Sequence, residues 1–204
     1  MMEADPSGLS LPALRSGSRA EFARLVEAYS TPIYNLALRL VRNPQDAEDV
    51  LQATFLKAMQ NLPRFEGRSS LSTWLYRIAV NEGLMLLRRR HPEIGLDLEA
   101  EQEQPGKESY PQQLADWCCL PEQELLSQEA RRMLDRAVQA LPETLRVVFL
   151  LRDVEGLSIL ETGQALDLSE TAVKARLLRA RLRLRAALSD YYAEQMKNRK
   201  EGRA

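Results

Sequence analysis

The chain has 204 residues, 45% of them apolar and 28% charged, with a formal net charge of -1. That suffices for one ordinary domain or two small ones, since cores organise at about 100 to 200 residues each. No run approaches the roughly 18 apolar residues of a spanning helix, and the opening MMEADPSGLSLPALRSGS lacks the basic-then-apolar layout of a secretory signal. A cytoplasmic protein without membrane insertion is therefore expected.

Two cysteines, Cys118 and Cys119, are adjacent, a placement that disfavours relaxed disulfide geometry. With the single His91 they match no metal-ligand spacing, and no serine, cysteine-histidine or metal cluster suggests catalysis. No metal, no cofactor and no enzymatic activity are expected.

Apolar spacing is helical nearly everywhere, which predicts an all-α chain. Residues 1–17 read as a flexible N-terminus, and the first helical block spans 18–90. Phe22, Leu25, Val26 and Tyr29 open it, and Pro32 is expected to bend or restart the helix before Ile33, Leu36, Ala37 and Leu40. Asn43-Pro44 is a turn signal. The stretch DAEDVLQATFLKAM follows, with Ala47, Val50, Leu51, Phe55 and Ala58 inward. After a polar loop, RFEGRSS, the stretch LSTWLYRIAVNEGLMLLRRR places Leu71, Leu75, Ile78, Ala79 and Leu86 on one face.

The near-zero net charge hides a segregated distribution. Between His91 and Gln128 stand nine acids, Glu93, Asp97, Glu99, Glu101, Glu103, Glu108, Asp116, Glu122 and Glu124, against Lys107 alone. Rich also in glutamine, proline and glycine, residues 91–121 read as a flexible acidic linker. Trp117, Cys118, Cys119 and Leu120 are expected to anchor its far end by packing.

A second helical block spans 122–192, followed by a polar tail at 193–204. Its first helix carries Leu125, Leu126, Met133, Leu134 and Val138. Pro142 suits the start of a second, with Leu145, Val148, Phe149 and Leu151 in its core. Ser158 and Glu161 form a capping box for a helix to Leu166, Asp167-Leu168 makes a tight turn, and Ser169 caps a long last helix. Two helices so joined, the second one basic, outline a helix-turn-helix.

From Glu170 to Arg185 one acid faces six bases, Lys174, Arg176, Arg179, Arg181, Arg183 and Arg185. Val173, Leu177, Ala180, Leu184 and Leu188 make one apolar stripe, too narrow for a membrane-surface helix and too short for a coiled coil. A solvated face and a DNA-reading face both remain open on charge alone. Position on the second helix of the pair favours DNA.

Taken together, the motifs are informative. DAEDVLQATFLKAMQNLPRFEGRSSLSTWLYRIAVNEGLMLLRRR resembles region 2 of the sigma-70 family, and LPETLRVVFLLRDVEGLSILETGQALDLSETAVKARLLRARLRLR resembles its region 4. Their order and the short connector are similar to the extracytoplasmic-function (group 4) sigma factors. The resemblance implies two helical domains and promoter-specific initiation as a dissociable subunit of bacterial RNA polymerase. Implied partners are the polymerase core, through its beta-prime clamp helices and beta flap, promoter DNA, and an anti-sigma factor. A stand-alone helix-turn-helix regulator is the alternative, and a recombinase-like enzyme a more distant one.

For the minus-35 element the resemblance implies Thr171, Lys174, Ala175, Arg176, Leu178 and Arg179. Bidentate arginine to guanine is the commonest base contact, while Arg181, Arg183 and Arg185 suit phosphate or water. For the minus-10 element it implies Glu66, Gly67, Arg68, Ser69, Tyr76, Arg77 and Asn81 around an unstacked base, with Arg88, Arg89 and Arg90 on phosphates. Trp74 reads better as core. Asp46, Glu48, Asp49, Gln52 and Phe55 are implied to dock on polymerase; the acids also suit a helix N-terminus. The linker's acids could mimic nucleic acid in a basic channel or simply solvate a spacer. Two departures stand out: Gly163 replaces the usual alanine, at up to about 1 kcal/mol in an exposed helix, and Asp167 replaces the usual turn glycine but tolerates the left-handed conformation.

Overall fold

A computed structural model describes residues 8–90 and 128–201, with side chains of the second stretch described for 132–189. The linker, His91, Cys118, Cys119 and the anchoring Trp117-Leu120 lie outside the described residues. Among those described, every regular element is helical.

Helix α1, Leu11–Arg15, occupies part of the stretch expected to be flexible. Ser10 caps it by accepting from the Ala13 N–H, Leu14 is buried, and the Arg15 guanidinium donates to the Phe65 carbonyl. The expectation of a free N-terminus therefore fails for these residues, because an N-cap and an apolar anchor lie within it. Helix α2, Arg19–Val41, runs unbroken through Pro32. Proline inside a helix costs about 3 kcal/mol. Burial of Tyr29, Ile33, Leu36 and Ala37 on either side offsets it.

Arg42 ends α2 at φ 62, and Asn43 caps α3, Pro44–Asn61, by accepting from Gln45 N–H at 2.9 Å and Asp46 N–H at 3.2 Å. Pro44 sits where a missing N–H costs nothing. A 3-10 turn, Leu62–Arg64, leads to the loop and then α4, Leu71–Arg90. In α4 the core stripe is broader than its sequence suggested. Val80, Leu84 and Leu87 are buried with Leu71, Leu75 and Ala79, whereas Ile78 and Leu86 are half-buried. Gly83 lets α2 and α4 close up, since a Cβ there would lie 2.7 Å from Leu40 Cδ2.

The chain divides into two compact units. One joins α1–α4 to Leu150–Lys174; the other contains residues 128–149 and 175–201. The expected 122–192 block is thus shared between them. In the second unit, α5, Gln128–Ala140, and α6, Glu143–Phe149, bury Val138, Leu141, Leu145, Val147 and Val148. Leu134, expected in this core, is 39% exposed. Buried Arg146 donates to the Leu141 carbonyl at 3.1 Å.

Leu150–Val154 forms a wide π turn, closed by Glu155 N–H to Leu150 O at 2.9 Å. Helix α7, Ile159–Leu166, follows, and the expected capping box is present in both directions: Glu161 N–H donates to Ser158 Oγ at 3.1 Å and Ser158 N–H to Glu161 Oε2 at 2.8 Å. Asp167 takes the left-handed conformation, φ 56 and ψ 45. Ser169 Oγ accepts from Ala172 N–H at 3.2 Å, and α8 runs from Glu170 to Glu201, through most of the expected polar tail.

Candidate nucleic-acid interface

Helix α8 sorts its residues by period. Val173, Leu177, Ala180, Leu184 and Leu188 are buried, as their spacing predicted. Thr171, Lys174 and Leu178 are exposed and Ala175 half-buried. At i, i+3, i+4 and i+7 these four share one face. Leu178 is 60% exposed, a large apolar side chain offered to solvent among cations. Lys174 Nζ lies 3.7 Å from Glu170 Oε2, an exposed pair that leaves its ammonium accessible. Arg179 is half-buried at the edge of this face.

Arg176 departs from expectation, since it is 5% exposed. The cause is register: three residues beyond Val173 and four before Ala180, position 176 falls on the core stripe. Its guanidinium is thus part of the packing side of α8, and of the residues expected at the minus-35 element Thr171, Lys174 and Leu178 are exposed and Ala175 and Arg179 half-buried.

In the first unit the loop after the 3-10 turn frames a cavity of about 270 Å³ lined by Arg64, Phe65, Glu66, Gly67, Arg68, Ser69, Trp74 and Arg77. Phe65 and Trp74 stack at a 5.0 Å centroid separation with a 44° tilt. Phe65 is buried and Trp74 half-buried, so the tryptophan both packs and forms a wall. Arg68 and Glu66 pair at 2.6 Å in the open. Ser70 caps α4, accepting from Thr73 N–H at 3.1 Å, which fixes where the loop ends.

Arg77, Asn81, Arg88 and Arg89 are exposed along α4. Tyr76, grouped with them from the sequence, is 6% exposed instead, and its hydroxyl donates to Glu155 Oε2 at 2.7 Å. Burial and the Glu155 carboxylate push the Tyr76 phenol well above its ordinary value.

The acidic start of α3 also divides. Asp46 is buried and held by Arg90, with Nη2 2.6 Å from Oδ1 and Nη1 2.5 Å from Oδ2. Arg90 is therefore spent on an ion pair rather than offered to phosphate. Glu48, Asp49 and Gln52 are exposed, and half-buried Phe55 meets Phe22 edge-on at 6.4 Å. Sequence reasoning missed Leu56 and Met59, 58% and 55% exposed on the same side of α3 as Gln52. Their signal was available: both fall off the stripe formed by Ala47, Val50, Thr54 and Ala58, so their apolar chains had no core to enter.

No helix among the described residues is long and apolar enough to cross a membrane. A tight helical pair with a basic, partly apolar reading face, together with a helical unit carrying a polar-and-aromatic cavity beside an arginine-lined helix, defines a DNA-binding protein of the promoter-reading kind. Comparison with known proteins agrees. Residues 25–92 match the family model for Sigma-70 region 2, and residues 131–184 the model for Sigma-70, region 4. The chain is 34% identical over 177 residues to the ECF RNA polymerase sigma factor SigW of Bacillus subtilis (strain 168), covering 87% of this chain and 94% of that one. It is 36% identical over 172 residues to the ECF RNA polymerase sigma-E factor of Escherichia coli (strain K12), covering 82% and 86%.

Among solved structures, CnrH in complex with the cytosolic domain of CnrY matches with a TM-score of 0.63 at 25% identity, over 91% of this chain and 97% of that one. The sigma factor RpoE in complex with the anti-sigma factor NepR from Bartonella quintana shares the fold, with a TM-score of 0.59 at 24% identity over 82% and 96%. The chain belongs to the extracytoplasmic-function sigma factors of the sigma-70 family. It is an alternative sigma factor, and the stand-alone regulator is set aside because the first block is itself a sigma region.

Proposed function

We propose that this sigma factor acts in the cytoplasm, without catalytic chemistry of its own, by dividing promoter recognition between two faces. Thr171, Lys174, Ala175, Leu178 and Arg179 read the minus-35 element in the major groove. Arg179 supplies a bidentate contact to guanine, Leu178 and Ala175 meet apolar base edges such as the thymine methyl, and Lys174 and Thr171 hold phosphate. The second face is the loop cavity. Glu66, Gly67, Arg68 and Ser69 receive one base taken from the stack, with Trp74 as its aromatic wall and Arg77 and Asn81 offering donors beside it. Arg88 and Arg89 hold the adjoining backbone.

Extracting a base costs a few kcal/mol, and only the melted strand can repay it in the cavity. Melting is favoured by this difference in binding. Polymerase core docks on α3 through Glu48, Asp49, Gln52 and Phe55, and the exposed Leu56 and Met59 extend that surface with apolar area. An anti-sigma partner is part of this reading, by analogy with the solved complex of RpoE with the anti-sigma factor NepR.

The observation that carries the proposal is the cavity: aromatic, guanidinium, carboxylate and hydroxyl groups converge on a volume suited to one base, beside a helix lined with exposed arginines. The test is reconstitution with bacterial core polymerase and a pool of genomic fragments. Start sites that depend on the chain are expected. Absence of such transcripts, or failure to bind core, overturns the reading.

A further inference from the structure

The loop that frames the minus-10 cavity is anchored at both ends and exposed between them. At its far end Ser70 caps α4 by accepting from Thr73 N–H. At its near end Phe65 donates its N–H to the Leu62 carbonyl at 3.0 Å, closing the 3-10 turn. The Phe65 carbonyl is held from outside the loop altogether, by the Arg15 guanidinium of α1, 50 residues away in the chain. Between these anchors Glu66, Gly67 and Arg68 are exposed, with Gly67 at φ 75.

The donor is itself firmly placed. Leu14, its neighbour in α1, is buried, as is Leu9 just before the helix. Ser10 N–H donates to Glu21 Oε1 at 2.6 Å, and Glu21 also pairs with Arg24 at 3.0 Å, so the start of α1 is tied to α2. Gly17 N–H donates to the Leu14 carbonyl at 3.1 Å and Ser18 N–H to the Ala13 carbonyl at 3.0 Å, turning α1 directly into α2. Helix α1 is thus a short strut braced on α2, and its last residue reaches the loop.

We propose that Arg15 is a positioning residue for base capture: through the Phe65 carbonyl it sets the wall and the entrance of the minus-10 cavity without touching the base. The inference rests on the reading of that cavity as the receiver of one unstacked minus-10 base, and adds to it a residue outside the cavity lining.

Two consequences of the contact carry it. In a trans peptide the carbonyl and the following N–H point in opposite directions, so holding the Phe65 carbonyl fixes the direction of the Glu66 N–H, the first backbone donor of the exposed stretch. Phe65 also stacks on Trp74 at 5.0 Å, so the same bond steadies the aromatic wall. A planar guanidinium, always charged, keeps its donors in fixed directions, where an ammonium on a flexible stem does not. A loop already in place need not be ordered at the moment of binding, which is where pre-organisation gains affinity.

Two measurements on the full chain test this. The first uses holoenzyme assembled with bacterial core polymerase and a fork-junction DNA carrying the minus-10 element of a start site mapped with it. Each non-template minus-10 base is replaced in turn by an abasic site, and the position at which wild type loses most affinity marks the captured base. Apparent affinity follows the competent fraction, so a loop in place about one-fifth of the time captures about fivefold more weakly. Arg15→Ala should show that loss on intact DNA, match wild type once the captured base is removed, and keep its affinity for core. Arg15→Lys should recover part of the loss. Because Arg15 is exposed, direct phosphate contact is the rival role. An equal loss with and without the base, together with a shallower salt dependence, would establish that role and overturn positioning, as would no loss at all.

In the second, Trp117→Phe leaves Trp74 as the only tryptophan of the chain. Adding Arg15→Ala should redden Trp74 emission and raise its quenching by acrylamide at an unchanged melting temperature. Unchanged emission and quenching overturn the strut. If no abasic site affects wild type, the reading of the cavity fails, and that outcome is distinct from a wild type that captures a base equally well without Arg15.

Discussion

Gly163 sits so close to the turn that a Cβ placed on it would lie 2.7 Å from the Leu168 carbonyl oxygen and 3.8 Å from Val173 Cγ2. This reverses the value its sequence position suggested. In an exposed helix, glycine to alanine gains up to about 1 kcal/mol of propensity. Here Gly163 is buried in α7, and the obstructing atom is backbone, which cannot rotate away. Gly163→Ala should therefore lower stability by about 1–3 kcal/mol, the usual cost of overpacking. Thermal unfolding decides it, and a raised melting temperature would show that the turn relaxes freely.

The neighbouring departure points the other way. Asp167 holds φ 56, where glycine has no steric penalty and other L-residues lose roughly 1–2 kcal/mol. Asp167→Gly should raise the melting temperature modestly and, because Asp167 lies outside the proposed minus-35 set, leave minus-35 recognition unchanged in a footprinting assay.

These two residues show what was legible in the sequence. Several local signals were read correctly from near neighbours: the Ser158–Glu161 box, the break at Asn43-Pro44, the Ser169 cap, the apolar stripe of α8 and the left-handed Asp167. What escaped depends on distant packing. Pro32 sits inside a helix because residues on both flanks are buried, and Leu134 is exposed although its spacing was apolar. Tyr76 is covered by a glutamate 79 residues away, which no window along the chain could reveal. Glu66, Gly67, Arg68 and Ser69 are consecutive in sequence and line one cavity; that cavity also needs Trp74 and Phe65.

Asp46 and its acidic neighbours should separate by experiment. Arg90→Ala leaves the buried Asp46 carboxylate uncompensated. Breaking a fully buried pair costs about 3–5 kcal/mol. The Arg90 side chain is 52% exposed, so about 1–3 kcal/mol is expected here. Adding Asp46→Asn should recover part of it. Charge reversal of exposed Glu48 and Asp49 should instead weaken core-polymerase binding while moving stability by no more than about 1 kcal/mol each, the scale of their helix-dipole interaction. Equal loss of polymerase affinity from Arg90→Ala in a folded chain would place the docking surface at the buried pair.

Glu161 offers a pH test. The Ser158 backbone N–H, ahead of the side-chain bonds from Ser158 and Thr73, holds its carboxyl below the ordinary value, and burial opposes only in part. A depressed carboxyl favours folding above the unfolded value, near about 4.3, and that contribution fades as pH falls through the folded value. Glu161→Gln should therefore be less stable than wild type at neutral pH, with the gap closing under acid conditions. Urea unfolding of the two proteins at a series of pH values measures it; a gap independent of pH would mean that the ionised cap contributes nothing beyond a neutral one.

Arg176 and Arg179, three residues apart on α8, should behave as different kinds of residue. Arg179, half-buried at the edge of the exposed face, is the residue proposed to contact a base. Its replacement by alanine should cost about 1–3 kcal/mol of discrimination at one minus-35 position, the range of a bidentate contact, with core affinity and melting temperature unchanged. Arg176 is buried on the packing side, so Arg176→Ala should lower the melting temperature and weaken DNA binding, if at all, equally across sequences. Binding titrations against a panel of single-base minus-35 variants, run beside thermal unfolding, read both effects. Uniform loss from Arg179→Ala would reduce it to a phosphate contact, and base-selective loss from Arg176→Ala with stability intact would mean that α8 rotates on the promoter to bring that side chain out.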